Sequence, residues 1–226
     1  MKHSEHFNGM TSSCARSRWG MRIPGVVLLV SSLTFCGCLS KPPLKKQTFA
    51  FVTPGLAATN AVAGNRVLGL RTLQIAPPFD GRSLVYRTGE FSYERDPYAG
   101  FLDSPAEGLV APICEMLRKD GCFSAVVEAG SAVKPDTLVE ISINQLYGDI
   151  RKPGSPCAVL ALRATFLDTT NGLPGRVVFQ RDYSRRIPIK SAASAALMEG
   201  WNQALLEIFA EVASDFRRRE IEDSGL

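Results

Sequence analysis

The chain has 226 residues, with 26 Lys and Arg residues against 22 Asp and Glu residues, and a formal net charge of +4. Hydrophobic residues make up 45% of it and charged residues 21%, which excludes a disordered chain and a protein with many membrane spans. The length suits one domain or two small ones. Both histidines, His3 and His6, lie near the start, so a mature form without that region contains no histidine.

Residues 1–37 are predicted to be a signal peptide for export. A basic segment, residues 1–22, precedes an apolar stretch, residues 23–35. A basic region followed by a short apolar region and a small residue at the cleavage site is typical of secretory signals. The apolar stretch is shorter than the roughly 20 residues that a transmembrane helix needs. Met21 is an alternative translation start, because Met21-Arg22 would open a compact signal by itself.

The end of this segment resembles the bacterial lipobox, in which a small residue precedes the Cys that receives the lipid. Gly37 precedes Cys38 here, while Phe35 stands where Leu is usual. Cys36 is a poorer acceptor, because the bulky Phe35 precedes it. We therefore expect attachment of lipid, including palmitate, at Cys38; the alternative is an ordinary thiol. Leu39, and not Asp, follows Cys38, which by resemblance to the lipoprotein sorting rule favours the periplasmic face of the outer membrane.

The mature chain is predicted to consist of a tether and one domain. Removal of the signal peptide leaves 22 basic and 21 acidic residues, so we expect no binding to nucleic acid, whose protein partners carry basic stripes. Residues 38–65 lack helical or strand periodicity over most of their length and are predicted to be the lipidated N-terminus and a flexible tether. The segment Thr48-Phe49-Ala50-Phe51 is the exception, because its aromatic pair could dock onto the domain or a neighbouring subunit.

The domain is predicted over residues 66–219, with a C-terminal tail at 220–226. The predicted strands are residues 66–75, 83–87, 91–95, 123–128, 138–147, 158–168 and 175–186. A capping box at Ser104 and Glu107 predicts the start of a first helix, which ends at Gly121. A second helix, residues 191–219, has an apolar stripe at helical spacing: Leu197, Trp201, Leu205, Ile208, Val212 and Phe216. This order predicts an α+β fold, with two helices packed on one mostly antiparallel, mixed β-sheet. In the fifth predicted strand, Gln145 is placed on the apolar face with Val139, Ile141, Ile143 and Tyr147.

The motifs of common catalytic and metal sites are missing from the chain. Without histidine, the mature protein lacks the commonest general base and the commonest zinc ligand. Cys114, Cys122 and Cys157 do not have the spacing of a metal or redox motif. We therefore predict no catalytic residue, no metal site, no cofactor and no enzymatic activity. In an oxidising compartment Cys114 and Cys122 could form a disulfide; the alternative is that they are small buried apolar residues.

One stretch, LVYRTGEFSYERDPYAGF at residues 84–101, is unusually dense in aromatic and charged residues. Tyr and Arg are favoured at protein interfaces, because they bury large areas at a modest cost in entropy. The candidate partner-binding residues are Tyr86, Arg87, Tyr93, Tyr98 and Phe101. The alternative is a hairpin whose aromatic residues simply cover the sheet.

The order of these features resembles the ABC-type transport auxiliary lipoproteins, which accompany MCE (mammalian cell entry) lipid-transport systems. The matching blocks after the lipobox and the Thr-Phe-Ala-Phe segment are RVLGLRTLQIAPPFDGRSLVYR, YERDPYAGFLDSPAEGL, LRKDGCFSAVV and DTLVEISINQLYGD, followed by an Ala-rich closing helix. Where members of that family often have Arg-Trp before the first helix, this chain has Gly100-Phe101.

The resemblance implies a non-enzymatic auxiliary component of an ABC-type lipid transporter. Its expected partners are an MCE-domain protein and, through it, an ABC permease and ATPase, together with the membrane that holds its acylated terminus. The lipoprotein would anchor or cap the periplasm-spanning MCE subunits at the outer membrane, and self-association into a homo-oligomer is left open. The alternatives are another envelope-assembly adaptor, or a small lipid-binding or hydrolytic lipoprotein that acts alone.

Overall fold

Eight strands and two helices lie in the part of the chain that the computed structural model describes, residues 46–52 and 64–224. The strands are β1 (Gln47–Phe49), β2 (Val67–Ile75), β3 (Ser83–Arg87), β4 (Tyr93–Phe101), β5 (Ala125–Val127), β6 (Thr137–Asp149), β7 (Cys157–Asp168) and β8 (Arg176–Pro188). The helices are α1 (Pro105–Lys119) and α2 (Ser194–Ser224). The predicted signal peptide, Cys38 and much of the predicted tether lie outside the described residues.

The strands form one mixed sheet organised around β6. Along one edge of β6, β7 runs antiparallel, and β8 runs antiparallel beyond it. Along the other edge, β2 pairs with the first part of β6 and β3 pairs with its last two residues, both parallel. Next to β2 lies β5, while β4 and then β1 continue from β3. The two longest ladders are antiparallel and four shorter ones are parallel, which confirms the predicted α+β class and the mixed sheet.

Helix α1 begins and ends at the predicted signals. The Ser104 hydroxyl accepts a hydrogen bond from the Glu107 backbone N–H at 3.3 Å and donates one to the Glu107 carboxylate at 2.8 Å. These bonds satisfy one of the N–H groups that a helix start leaves without a partner. At the other end the chain turns through Gly121 with φ of +79°, a conformation that glycine adopts without a Cβ penalty.

The apolar stripe of α2 forms the centre of the core. Every residue of the predicted stripe is buried, and the helix packs on β7 and β8. Trp201 is fully buried, and its indole N–H donates a hydrogen bond to the Val159 carbonyl of β7 at 3.1 Å. The alternating apolar positions predicted for β7, from Ala158 to Phe166, are buried as well. Matching periods of helix and strand therefore place both elements as the sequence indicates.

Two details of the predicted strands are wrong. The second strand of the hairpin begins at Tyr93 and continues to Phe101, instead of covering residues 91–95, because residues 88–92 form the turn. Gln145 was placed on the apolar face of its strand, but it is exposed. A register shift between Ile143 and Gln145 moves the alternation by one position, so that Leu146 is buried instead.

The segment Thr48–Phe51 docks onto the domain, which was one of its two predicted docking places, the other being a neighbouring subunit. Strand β1, which was absent from the predicted element order, pairs in parallel with the end of β4. Phe51 is 7% exposed, and its ring stacks on Phe101 with the centroids 5.3 Å apart. Within residues 46–52 and 64–224, which the structure describes, neither helix is both long and apolar enough to cross a membrane.

Candidate functional site

The predicted partner-binding residues lie on a hairpin formed by β3 and β4. Arg87 is paired with Tyr93 at the last position before the turn, which we call the hairpin tip, residues 88–92. The tip is closed by a backbone hydrogen bond of 3.0 Å from the Thr88 N–H to the Ser92 carbonyl. The Arg87 guanidinium donates hydrogen bonds to the carbonyls of Gly89, at 3.2 Å, and Glu90, at 2.5 Å. Arg87 therefore braces the tip as well as lying beside it.

An aromatic cluster supports the outer part of the hairpin. The ring of Tyr93 meets Tyr147 of β6 edge-on at 5.5 Å between centroids, and Phe79 edge-on at 6.0 Å. Phe79 in turn stacks on Tyr147 at 5.7 Å. The Arg87 guanidinium lies 5.7 Å from the centre of the Tyr93 ring, in the range of a cation–π contact. Tyr93 is thus held in place although 45% of it is exposed.

Polar contacts fix the inner part of the hairpin to the first residue of α2. The Ser194 hydroxyl donates a hydrogen bond to the Asp96 carboxylate at 3.2 Å, and the Tyr86 hydroxyl lies 3.4 Å from the Ser194 oxygen. The other Asp96 oxygen accepts from the backbone N–H groups of Tyr98 and Ala99. Burial raises the pKa of the Tyr86 phenol, so that it stays neutral and able to donate. The hairpin is therefore attached to the helical layer, not only to the sheet.

The structure divides the five candidate residues into two groups. Tyr86 and Phe101 are buried, and Phe101 lies in the core between Phe51 and Trp201, with its ring centroid 5.8 Å from that of Trp201. Tyr86 and Phe101 therefore follow the alternative prediction, in which the aromatic residues of the hairpin cover the sheet. Arg87 is partly exposed, and Tyr93 and Tyr98 are exposed at 45% and 53%. The partner-binding role stays a prediction, and only these three can offer a surface for it.

One exposed aromatic residue was present in the dense stretch but absent from the candidate list. Phe91, in the hairpin tip, is 90% exposed, which is the highest value among the large apolar residues described. Strand alternation could not place it, because it lies in the turn, where side chains do not alternate. Its position between two polar residues, Glu90 and Ser92, was the one signal in the sequence that could have indicated its exposure.

A second polar cluster lies where β6 ends. The buried carboxylate of Asp149 accepts hydrogen bonds from Arg151 Nε at 2.9 Å, Arg151 Nη2 at 2.7 Å and Arg186 Nη2 at 2.7 Å. The hydrogen bonds from Arg151 and then from Arg186 hold the pKa of this carboxyl far below its usual range, against the opposing effect of burial. Sequence reasoning missed this cluster, because its members come from β6, the following loop and β8.

The cysteines that the structure describes are free thiols. Cys114 and Cys122 are buried, and a bond between them is not formed; their pairing stays a prediction for the oxidised protein. Burial raises the pKa of Cys114 to about 11. Burial and a hydrogen bond to Asp120 raise that of Cys122 to about 12. Both thiols are therefore poor nucleophiles near neutral pH, because the thiolate is the reactive form.

Several carboxylates elsewhere in the described residues are paired with arginine, as Glu211 and Asp215 of α2 are with Arg181 of β8. No group of three or more His, Cys, Asp and Glu side chains there is placed to hold a metal ion. Asp96, one of the carboxylates in the dense stretch, is engaged with Ser194 and with backbone N–H groups. The hairpin is braced at its tip by Arg87 and at its inner part by Ser194.

Comparison with solved structures finds the same fold in other proteins. A crystal structure from Xanthomonas campestris, of the family designated DUF330, matches with a TM-score of 0.60 and 20% identity, over 76% of this chain and 99% of that one. A second, described as an uncharacterized protein, matches with a TM-score of 0.60 and 13% identity over the same shares. The PelC dodecamer from Paraburkholderia phytofirmans gives a TM-score of 0.40 at 11% identity, over 70% of this chain and 91% of that one. No curated protein matches the chain.

The sequence itself matches one family over most of the domain. The profile of the ABC-type transport auxiliary lipoprotein component covers residues 49–213, which includes every strand from β2 to β8, all of α1 and most of α2. This agrees with the resemblance found in the short sequence blocks. The chain belongs to the ABC-type transport auxiliary lipoprotein family.

Proposed function

We propose that this chain is a non-enzymatic lipoprotein, anchored at the periplasmic face of the outer membrane through Cys38, that serves an MCE-associated lipid transport system. In this role it anchors or caps the periplasm-spanning MCE subunits, whose inner-membrane ABC permease and ATPase supply the energy. The observation that carries the proposal is the exposed aromatic surface of the hairpin in a member of a transport auxiliary family.

The hairpin has the composition and the rigidity of a protein contact. Phe91, Tyr93 and Tyr98 expose 90%, 45% and 53% of their surface, and large exposed aromatic residues typically mark interaction sites. Tyr93 packs edge-on against Tyr147, and Asp96 ties the hairpin to Ser194, so the backbone of the hairpin and the Tyr93 ring have little conformational entropy left to lose on binding. These features support the hairpin as the contact with the MCE protein.

A pull-down of the MCE-domain protein with the full-length lipoprotein tests the proposal. We expect Phe91→Ala combined with Tyr98→Ala to lower recovery of the partner at least about tenfold, since a buried aromatic anchor contributes about 2 kcal/mol or more to binding. Val177→Ala is the control, because Val177 is 53% exposed, like Tyr98, but lies on β8, which does not pair with the strands of the hairpin. Undiminished recovery with the double variant, or an equal loss with the control, would remove the hairpin from the interface.

An apolar cavity favours a second candidate, a lipoprotein that binds lipid by itself. The cavity, of about 320 Å³, lies between β2, β5 and the start of β6, and its apolar lining includes Leu70, Val127, Val133, Leu138 and Leu173. Val133 and Leu173 are also largely exposed. We expect a fluorescent fatty acid to bind the full chain and Leu138→Trp, which fills the cavity, to abolish that binding. Binding that survives this substitution would exclude the cavity as the lipid site.

A further inference from the structure

Three cationic side chains and one carboxylate line a cavity at the C-terminal end of β6. This basic cavity has a volume of about 590 Å³, within the range of ligand pockets, and is lined by Asp149, the β6–β7 loop and the end of β8. Its charged lining residues are Asp149, Arg151, Lys152 and Arg186. The described lining thus has a formal surplus of two positive charges.

Asp149 binds both guanidinium groups but leaves some of their N–H donors without a hydrogen bond to it. It takes both Nε and Nη2 of Arg151 but only Nη2 of Arg186. Nη1 of Arg151, and Nε and Nη1 of Arg186, donate no hydrogen bond to any other described residue. Two hydrogen bonds to the carboxylate fix the plane of the Arg151 guanidinium, while Nη2 of Arg186 is held by Asp149 and by the Cys157 sulfur at 3.4 Å. The remaining N–H groups are therefore placed beside one another before any ligand binds. A planar guanidinium matches both carboxylate and phosphate groups, and a phosphate group has more oxygens to accept hydrogen bonds from two guanidinium groups at once.

Aromatic residues adjoin this basic cavity on the side of the hairpin. Arg87 of β3 is the register partner of Asp149 on β6, so the hairpin tip starts beside the cavity. Arg151 lies within electrostatic range of the Tyr93 and Tyr147 phenols, which raise the pKa of its guanidinium after the larger effect of Asp149. Basic and amphipathic aromatic side chains together are typical of surfaces that meet lipid headgroups.

We propose that the basic cavity binds a phosphate group, held by Arg151 and Arg186 with Lys152 as a further counter-charge. Inorganic phosphate and a phospholipid headgroup share this chemistry. The assignment to a headgroup rests on the proposed function in lipid transport, while the phosphate site itself rests on the geometry of the cavity.

Calorimetric titration of the full chain, purified in a nonionic detergent, tests the proposal with two ligands. One is inorganic phosphate, and the other is the short-chain lipid dihexanoyl phosphatidylglycerol. We expect Arg186→Gln to weaken binding about tenfold, because it removes donors to the phosphate while Arg151 still pairs with Asp149 through two nitrogens. Lys152→Gln, at an exposed position, should weaken binding about fivefold through the loss of one charge, and it keeps the test open if Arg186→Gln does not fold.

Arg163→Gln is the matched control. Like Arg186, Arg163 is paired with a carboxylate, that of Asp182, here through two hydrogen bonds, and its side chain is 47% exposed against 50% for Arg186. If both ligands bind and Arg186→Gln weakens the binding of each, the cavity is a general phosphate site. If only the lipid binds and Arg186→Gln weakens its binding, the cavity is a headgroup site. No binding by the unaltered chain, or an equal loss with Arg163→Gln, overturns the proposal. Because no transport partner is present, this result is independent of the pull-down.

Discussion

The buried side chain of Phe51, two residues after β1, reinforces the pairing of β1 with β4. It stacks on Phe101, lies 6.5 Å from Trp201 between ring centroids, and is 7% exposed. Replacing a buried Phe by Ala costs about 3–5 kcal/mol, of which about 0.5–1.5 kcal/mol belongs to an aromatic pair. Because β1 has three residues and lies at the edge of the sheet, the site can relax, so we expect Phe51→Ala to lower the free energy of unfolding by about 3 kcal/mol.

Urea unfolding of the full chain, followed by tryptophan fluorescence, measures this loss. The neighbouring Val52→Ala is the control, since Val52 is 59% exposed and should lose less than about 0.5 kcal/mol. Hydrogen exchange adds a local measurement, because the Leu102 N–H donates to the Phe49 carbonyl at 2.8 Å and should exchange faster once β1 is released. A loss below about 1 kcal/mol together with unchanged exchange at Leu102 would refute the reasoning.

Three further predictions concern groups inside the domain. The pKa of Asp149 is depressed in the folded state, so the stabilisation by its ion pairs is complete above the unfolded pKa of about 3.9 and is lost as the pH falls below it. Asp149→Asn should therefore flatten the decline in the free energy of unfolding between about pH 5 and pH 2. An unchanged dependence on pH in this range would contradict the prediction. Trp201→Phe removes the indole N–H that donates to the Val159 carbonyl and should lower the free energy of unfolding, measured by thermal unfolding, by about 1–3 kcal/mol; a loss below about 0.5 kcal/mol would contradict this. Because burial raises the pKa of Cys114 to about 11 and of Cys122 to about 12, iodoacetamide at pH 8 should label both far more slowly in the native than in the unfolded chain, and equal rates would show that the thiols are accessible.

The parts of the fold that follow from local periodicity could be predicted from the sequence. The stripe of α2, the alternation of β7 and the cap at Ser104 each depend on residues within one or two turns of each other, and all three are present. Strand β1 could be predicted only as an aromatic pair that docks somewhere, because three residues are too few to show a period. The exposure of Gln145 depends on a register shift against β7, which a single strand does not reveal.

The candidate site was predictable as a region but not residue by residue. The density of aromatic and charged residues indicated the hairpin, yet burial of Tyr86 and Phe101 is decided by α2 and β1, which are distant in sequence. The basic cavity gave no signal at all, since Asp149 and Arg186 are 37 residues apart in the sequence and meet only through the β6–β7–β8 ladders.

Docking of β1 also limits how far the domain can stand from its membrane. If Cys38 carries the lipid, only residues 39–46 separate the acyl chains from the first sheet residue, Gln47. Eight residues reach at most about 29 Å when fully extended, compared with about 97 Å if the whole of residues 39–65 were free. The domain would then work within about one molecular diameter of the bilayer surface, and the proposed partner that spans the periplasm would have to come to the membrane to meet it.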